Sequence, residues 1–195
     1  MTGLSSGGSS GSSSSGSSNR SAGSGKTGAP VPVQGDWIQE ADGTWSFQKQ
    51  GGEKAVSEWI YTGNTDGQDR INGWYRFDEK GRMETGWFID AAGKWYYLNK
   101  EHDGTFGAMK TGWVFEEDGH WYYLNPADGS MMTGWQLIGG KWYYFNPTVY
   151  GQTWVTDASG AWKWGGGTSM PYGAMYADME TPDGYRTGPD GDWME

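Results

Sequence analysis

The side chains that recur at a fixed spacing in this sequence are aromatic: it contains 14 Trp and 12 Tyr among 195 residues. Residues 111–135 read Thr-Gly-Trp, a short acidic turn, Trp-Tyr-Tyr-Leu-Asn, an Asp-Gly turn and a second Thr-Gly-Trp. The face of an aromatic ring attracts cations, and it also stacks on sugar rings. The pattern therefore indicates non-covalent recognition by aromatic surfaces.

Side chains that serve catalysis or metal binding are few and poorly placed. His102 and His120 have no partner at the spacing of a metal site or a catalytic triad. The Asp residues stand mainly in Asp-Gly turns, which Asp stabilises with its own side chain, and nothing marks two of them as the opposed pair of a glycosidase. Cysteine is absent, which excludes disulfides and Cys metal sites. We expect no enzymatic activity, no cofactor and no metal.

The aromatic pattern is a tandem repeat. Residues 85–146 hold three clear copies, and degenerate copies and caps lie at both ends. Residues 178–195 are interpreted as a closing hairpin, because the end units of repeat arrays are usually atypical. In chain order, the paired tryptophans are Trp37 and Trp45, Trp87 and Trp95, Trp113 and Trp121, Trp135 and Trp142, and Trp154 and Trp162.

Each copy is predicted to be a β-hairpin, because its short aromatic runs are bounded by Asp-Gly, Gly-Gly or Gly-Lys turns. Along a strand, Trp121 and Tyr123 share one face and Tyr122 takes the other, so both faces need cover. One hairpin alone is marginal in water. We therefore predict an all-β fold, a solenoid in which aromatic-rich hairpins stack on one another.

Composition divides the chain into two parts. Residues 1–34 are mainly Gly and Ser, and such a segment cannot bury enough apolar surface to fold; we interpret it as a disordered, flexible linker. Residues 35–195 form the repeat module. Leu, Ile and Val together number only 15, so the core must be built from Trp and Tyr, each of which buries about 150–250 Å².

The charge of the chain limits its partners. A net charge of −10 and a pI near 4.6 argue against nucleic acids and anionic membrane surfaces. No apolar run reaches the roughly 18 residues of a membrane span, so no membrane insertion is expected. The oligomeric state is left open.

The repeated run Thr-Gly-Trp, turn, Trp-Tyr-Tyr-Leu-Asn, Asp-Gly-x-Met resembles the cell-wall-binding repeats of Gram-positive bacteria, which include choline-binding repeats and their glucan-binding relatives. The resemblance extends over about residues 36–195 and implies ligand pockets between successive hairpins. The positions that match are, in three junctions, Trp74, Met83 and Trp87; Trp87, Trp95, Met109 and Trp113; and Trp113, Trp121, Met131 and Trp135, with Trp142 and Tyr144 of the last clear copy completing the set.

The resemblance implies that aromatic cages hold choline of teichoic acids. A quaternary ammonium donates no hydrogen bond, and each aromatic face contributes about 0.5–2 kcal/mol, so one cage is weak, of order millimolar. Several cages that face a repetitive polymer bind more tightly through effective concentration. The expected partner is choline-bearing teichoic acid or a glucan of the wall, and the expected location is the bacterial cell surface, after secretion.

Three alternatives remain at this stage. The same rings suit a glucan or another oligosaccharide. The module is also consistent with the targeting tail of a wall hydrolase whose catalytic domain lies elsewhere. Finally, all the aromatics are structural if the chain is an adhesin or a scaffold.

Overall fold

The structure is a computed structural model that describes residues 30–65, 72–149, 152–167 and 170–195, with backbone only for 152–154 and 163–167. The linker predicted for residues 1–34 falls outside the described residues as far as residue 29. From there on the chain is packed: the Val33 amide donates to the Tyr61 carbonyl over 2.7 Å, and the Thr62 hydroxyl donates to the Val33 carbonyl over 2.9 Å. The folded part thus includes the last residues that composition assigned to the linker.

The described residues form β-hairpins and contain no helix, as the aromatic pattern predicts. Hairpins 1 to 6 consist of consecutive antiparallel strand pairs. Their bounds are β1 Gly35–Gln39, β2 Trp45–Lys49, β3 Trp59–Gly63, β4 Asn72–Arg76, β5 Gly86–Ile89, β6 Trp95–Leu98, β7 Gly112–Phe115, β8 Trp121–Leu124, β9 Gly134–Ile138, β10 Lys141–Phe145, β11 Gln152–Thr156 and β12 Trp162–Gly167.

The turns close these hairpins with local chemistry. In hairpin 4, the Gly119 amide donates to the Glu116 carbonyl over 3.0 Å, and the Asp118 carboxylate accepts the His120 amide over 3.0 Å. Asp side chains suit this position because they hydrogen-bond the backbone two residues on. The Asp-Gly signals therefore mark turns, as the sequence indicates.

The two faces of each hairpin are used differently. In hairpin 4, Tyr122 and Val114 are buried on one face, toward hairpin 3, whereas Trp113 and Trp121 on the other face are 38% and 42% exposed. Because side chains alternate along a strand, one face covers the preceding hairpin and the other remains available to the next hairpin of the stack. This confirms the stacked arrangement.

The hydrophobic core is distributed along the stack. One cluster of buried residues lies in hairpins 1 and 2 and a second lies around hairpins 3 and 4. The first comprises Phe47, Ala55, Ile60, Tyr75, Phe77 and Met83, and the second comprises Trp87, Tyr97, Val114, Tyr122, Leu124 and Ala174.

The segment after each hairpin ties two hairpins together. Met131 forms a β-bridge with Leu124 of its own hairpin, and its amide donates to the carbonyl of Trp95 in the preceding hairpin over 2.7 Å. Met109 repeats this arrangement with Leu98 and Trp74. Backbone hydrogen bonds of this kind set the register of the stack.

Hairpin 6 is not the next unit of the stack, as its Trp spacing suggests, but an insertion in a loop. The Asn146 amide donates to the Ala174 carbonyl over 2.8 Å, just as the Asn125 amide donates to Ser130 over 2.8 Å. The short loop of one repeat is thus replaced by the whole of hairpin 6. We call β11–β12 the inserted hairpin. Its strand β12 pairs with β5 of hairpin 3.

The stack ends in residues 178–195. Two isolated bridges, Glu180 to Arg186 and Thr187 to Trp193, fold this segment back on itself. The Trp193 amide donates to the Trp142 carbonyl over 2.7 Å, which repeats the hydrogen bond of Met131 to Trp95. The predicted closing unit is thus two short turns that continue the stack. The described part of the chain has no helix with the length and hydrophobicity of a membrane span.

Candidate functional site

Each junction between hairpins brings together rings from two repeats. The Trp of the first strand packs, nearly perpendicular, on the middle aromatic of the next hairpin's second strand. The pairs and their centroid distances are Trp37–Tyr75 at 4.9 Å, Trp59–Tyr96 at 5.3 Å, Trp87–Tyr122 at 4.9 Å and Trp113–Tyr143 at 4.9 Å.

The two tryptophans of one hairpin form adjacent walls of a cleft. The rings of Trp113 and Trp121 are 6.1 Å apart at 88°, and those of Trp87 and Trp95 are 6.3 Å apart at 77°. Antiparallel register places both tryptophans of a pair on the same face of their hairpin, because Trp113 is opposite Tyr123 and Trp121 is opposite Phe115. A compact cation covered by alkyl groups can contact both ring faces when the two rings are nearly perpendicular.

The structure corrects the assignment of the methionines to these clefts. The resemblance grouped Met109 with Trp87 and Trp95, but the Met109 amide bonds to the Trp74 carbonyl. Met131 lies with Trp95 in place of Trp121, and Met83 with Trp45 in place of Trp74. The backbone of each segment thus returns to the hairpin before its own. Met83 and Met131 pack on the buried clusters that Trp45 and Trp95 also contact, one junction earlier than predicted.

The side chains of these methionines fill gaps between turns. A Cβ added at Gly129 would be 2.5 Å from the Met109 sulfur, and Gly129 has a φ of +75°. Met83 and Met131 lie against glycines of later loops in the same way. This packing couples one repeat to the next through a glycine that must lack a side chain.

A group of rings also converges at the end of the stack. Hairpin 5 and residues 178–195 line an open cavity of 450 Å³, in which Tyr185 lies 5.7 Å from Trp135 at 88° and 6.4 Å from Trp193 at 81°. The lining residues are Trp135, Trp142, Asp183, Tyr185 and Trp193. We call this the terminal cavity. Four rings and one carboxylate converge on it.

Asp183 brings a negative charge to the terminal cavity. Its carboxylate accepts hydrogen bonds from the Thr181 hydroxyl over 2.6 Å and from the Trp135 indole N–H over 2.8 Å. These bonds hold the pKa of Asp183 below its usual value. The carboxylate is therefore ionised at neutral pH and lies beside the electron-rich rings.

The remaining predicted residues have distinct environments. Trp74 is 37% exposed and packs on Tyr61 at 5.3 Å. Tyr144 is buried between Trp135 and Tyr176, each 5.1 Å away, so it supports hairpin 5 and does not join the cleft of Trp113. Trp87 is only 3% exposed.

Sequence reasoning missed the residues that the following repeat contributes. Tyr122, Tyr143 and Tyr185 each pack on the first-strand Trp of the preceding hairpin. The sequence contained a signal for this contact, because side-chain alternation places Tyr122 on the face opposite to Trp121, where it meets the preceding hairpin. Trp193 was also missed. It follows Gly191 at the spacing at which Met131 follows Gly129, and each of these glycines packs against a Met of an earlier repeat.

One partly buried carboxylate supports the stack. Burial raises the pKa of Glu116, against the opposing effect of the hydrogen bond that the Tyr97 hydroxyl donates over 2.6 Å and the charge of Lys100 at 3.4 Å. These contacts link hairpins 3 and 4. All three residues are engaged with one another, which gives Glu116 a structural role.

A second carboxylate holds the hairpin 4 turn. Asp118 accepts a hydrogen bond from the Tyr122 hydroxyl over 2.5 Å and lies 3.5 Å from His120 Nδ1. Burial acts to raise the pKa of Asp118, but the bonds from His120 and Tyr122 outweigh it and the pKa is lowered. Among the described residues, no group of His, Asp and Glu could hold a metal ion.

Comparison with known proteins follows the repeat pattern. Residues 65–105 match a family described as choline-binding repeat, and residues 111–131 and 133–148 match a family described as putative cell wall binding repeat. None of the curated proteins compared with the chain matches it.

Several solved structures are similar to the chain. CbpJ from Streptococcus pneumoniae TIGR4 is 32% identical over 83% of this chain and 48% of its own, with a TM-score of 0.48. Choline binding protein F from Streptococcus pneumoniae, solved with a peptidoglycan analogue, is 32% identical over 84% and 47%, with a TM-score of 0.46.

A pneumococcal cell wall endolysin from phage Cp-1, solved with choline, is 26% identical over 76% of this chain and 42% of its own, with a TM-score of 0.44. The chain thus spans about half or less of the length of these three proteins. The likeness rests on the repeats themselves, which match the family models one after another. Residues 65–105, 111–131 and 133–148 of the chain therefore match the choline-binding and cell wall-binding repeat families.

Proposed function

We propose that the chain is a non-catalytic cell wall-binding module that holds choline groups of teichoic acids in aromatic cages between successive hairpins. The observation that carries this proposal is the terminal cavity, where four rings and the Asp183 carboxylate converge. In this role residues 35–195 anchor a surface or secreted protein to the wall. The Gly- and Ser-rich residues ahead of the packed residues 30–34 separate the module from the part that it anchors.

The shape and charge of the cage favour a quaternary ammonium. Such a cation donates no hydrogen bond, so its favourable contacts are ring faces, at about 0.5–2 kcal/mol each, and a nearby negative charge. Tyr185 is roughly perpendicular to both Trp135 and Trp193, so faces surround the cavity on several sides. Asp183 supplies the counter-charge at its edge.

A neutral sugar is supported less well by the same lining. Ligand sites usually fix a polar ligand with several precisely placed polar groups. In the terminal cavity, the Trp135 indole N–H is already donated to Asp183. The lining donors that remain are single groups on separate rings, the Tyr185 hydroxyl and the indole N–H groups of Trp142 and Trp193.

Repetition compensates for weak single sites. The Trp113 and Trp121 cleft is open, with rings 38% and 42% exposed, and the terminal cavity lies beyond it along the stack. Adjacent cages on one chain engage a polymer that repeats its choline groups, so the second contact forms at high effective concentration.

The experiment compares three ligands. Tryptophan fluorescence and calorimetry monitor titration with choline, with its uncharged isostere 3,3-dimethyl-1-butanol, and with soluble dextran. We expect millimolar choline to bind and the isostere to bind about tenfold more weakly, since the loss of charge removes the cation–π contribution. Equal binding of the isostere would refute cation recognition, and binding of dextran alone would establish the glucan alternative.

Two variants locate the binding. Asp183→Asn removes the carboxylate from the cavity, and Asp190→Asn removes an exposed carboxylate from the same segment but outside the lining. We expect Asp183→Asn to weaken choline binding at one site and Asp190→Asn to leave it unchanged. Equal effects of the two substitutions would mean that only the overall charge matters.

A further inference from the structure

The inserted hairpin extends the sheet of hairpin 3 at its first strand. Its strand β12 is bridged to β5 through Trp162 and Trp87, so the sheet order is β11-β12-β5-β6. The contact is close: a Cβ added at Gly86 would be only 3.0 Å from the Ala161 Cβ. The other hairpins in the described part of the chain form sheets of two strands.

Trp162 completes a set of rings on this cleft. Its ring lies 6.1 Å from that of Trp95 at 74°, and Trp95 in turn lies 6.3 Å from Trp87 at 77°. Trp162 also packs, with Met131, against the buried cluster that contains Trp87. A side chain from the inserted hairpin thus lies beside both tryptophans of this cleft, in ring contact with Trp95 and paired along the sheet with Trp87.

The neighbouring hairpin shows what the cleft is like without this cover. Trp113 and Trp87 make matching contacts, each at 4.9 Å with the middle Tyr of the next hairpin. Nevertheless, Trp113 is 38% exposed and Trp87 is 3% exposed. Hairpin 3 differs from hairpin 4 in carrying a strand of the inserted hairpin on its first strand.

We propose that the inserted hairpin is an internal occupant of the Trp87–Trp95 cleft, with Trp162 in the position of a ligand. The chain then binds choline at its open cages and leaves this one closed. An occupant tethered at both ends is present at an effective concentration of order millimolar or above, which a weak external ligand must exceed. The insertion thereby selects which cages along the stack are used. This inference rests on the proposed function.

The chain itself supplies a replacement loop for the test. Residues 126–129, Pro-Ala-Asp-Gly, join Asn125 to Ser130 across the same hydrogen-bonded gap that residues 147–173 span from Asn146 to Ala174. The first variant replaces residues 147–173 with Pro-Ala-Asp-Gly. The second is Trp162→Ala, and its control is Val155→Ala, an exposed residue on β11, which does not pair with β5.

Calorimetry with choline counts the sites. We expect the loop replacement and Trp162→Ala each to bind one more choline per chain than the wild type, and Val155→Ala to match the wild type. An unchanged stoichiometry in both variants, with circular dichroism showing a retained fold, would overturn the occupant role.

Oxidation of individual tryptophans, mapped by mass spectrometry, tests the cover without any ligand. We expect Trp87 to be oxidised about tenfold faster in the two variants, in line with the ratio of the Trp113 and Trp87 exposures. Trp135 serves as the internal reference. Unchanged protection of Trp87 would overturn the inference. Faster oxidation with no choline binding in any form would refute the proposed function and leave the cover standing.

Discussion

The contact between Gly129 and Met109 provides a quantitative test of how the repeats are coupled. Gly129 has a φ of +75°, and an added Cβ would be 2.5 Å from the Met109 sulfur. Gly119, in the hairpin 4 turn, has a φ of +81° with no atom within 4 Å of such a Cβ. The two glycines thus share a backbone requirement and differ only in the contact.

The expected losses combine a backbone cost and a crowding cost. A non-glycine residue in the left-handed region costs roughly 1–2 kcal/mol, and crowding a packed side chain costs about 1–3 kcal/mol more. Gly119→Ala should therefore lower the free energy of unfolding by roughly 1–2 kcal/mol and Gly129→Ala by roughly 2–5 kcal/mol. The larger loss arises because the Met109 thioether must leave its place.

Urea unfolding monitored by tryptophan fluorescence measures both variants, each also in a Met109→Ala background. With Met109 truncated, the crowding disappears and the two alanine substitutions should cost nearly the same, which makes the double-mutant cycle the decisive comparison. Equal losses in the wild-type background would refute the contact as the link between repeats.

Three further outcomes are expected. Trp113→Ala should weaken choline binding several-fold, whereas Trp37→Ala should mainly lower the free energy of unfolding. Trp37 packs on the core of hairpins 1 and 2 and donates its indole N–H to a backbone carbonyl over 2.8 Å. Choline titrations and urea unfolding curves of both variants test this difference. The Asp118 carboxylate, 3.5 Å from His120 Nδ1, raises the pKa of His120. The stability that this ion pair contributes is therefore complete below about pH 6.5 and lost as the pH rises through the folded-state pKa. In urea unfolding, the free energy of unfolding of the wild type should exceed that of His120→Gln by more at pH 6 than at pH 9, and a constant difference would contradict this. Because the pKa of Asp183 is lowered, its charge is complete above about pH 5, so choline affinity should be flat from about pH 5 to 8 and fall only in more acidic titrations.

The hairpins themselves are encoded in local sequence. Asp118 and Gly119 specify a turn, and the alternation of Trp121, Tyr122 and Tyr123 assigns side chains to opposite faces. These features depend on residues a few positions apart, so they can be predicted directly from the local sequence. The stack of hairpins could be predicted from this local pattern, because both faces of each hairpin are aromatic and must be covered.

The membership of each cage depends on longer-range geometry. Met131 is closest in sequence to the Trp135 repeat, yet its amide bonds to Trp95, so sequence proximity assigned the methionines to the wrong cleft. The terminal cavity was missed because Tyr185 and Trp193 lie in the degenerate end of the array, outside the three clear copies of the repeat. Only the return of residues 178–195 to hairpin 5 brings these rings together.

The sequence alone determined the repeating unit, its strand faces and the aromatic chemistry, since turn formation and side-chain alternation are local. The tertiary structure decided which rings share a cage and which cages are open. Trp162 has the spacing of a repeat tryptophan, but the hydrogen bond from Asn146 to Ala174 places it in an insertion. That hairpin is free to fold back onto β5 and bury Trp87, because backbone pairing between distant strands depends on where the stack positions them.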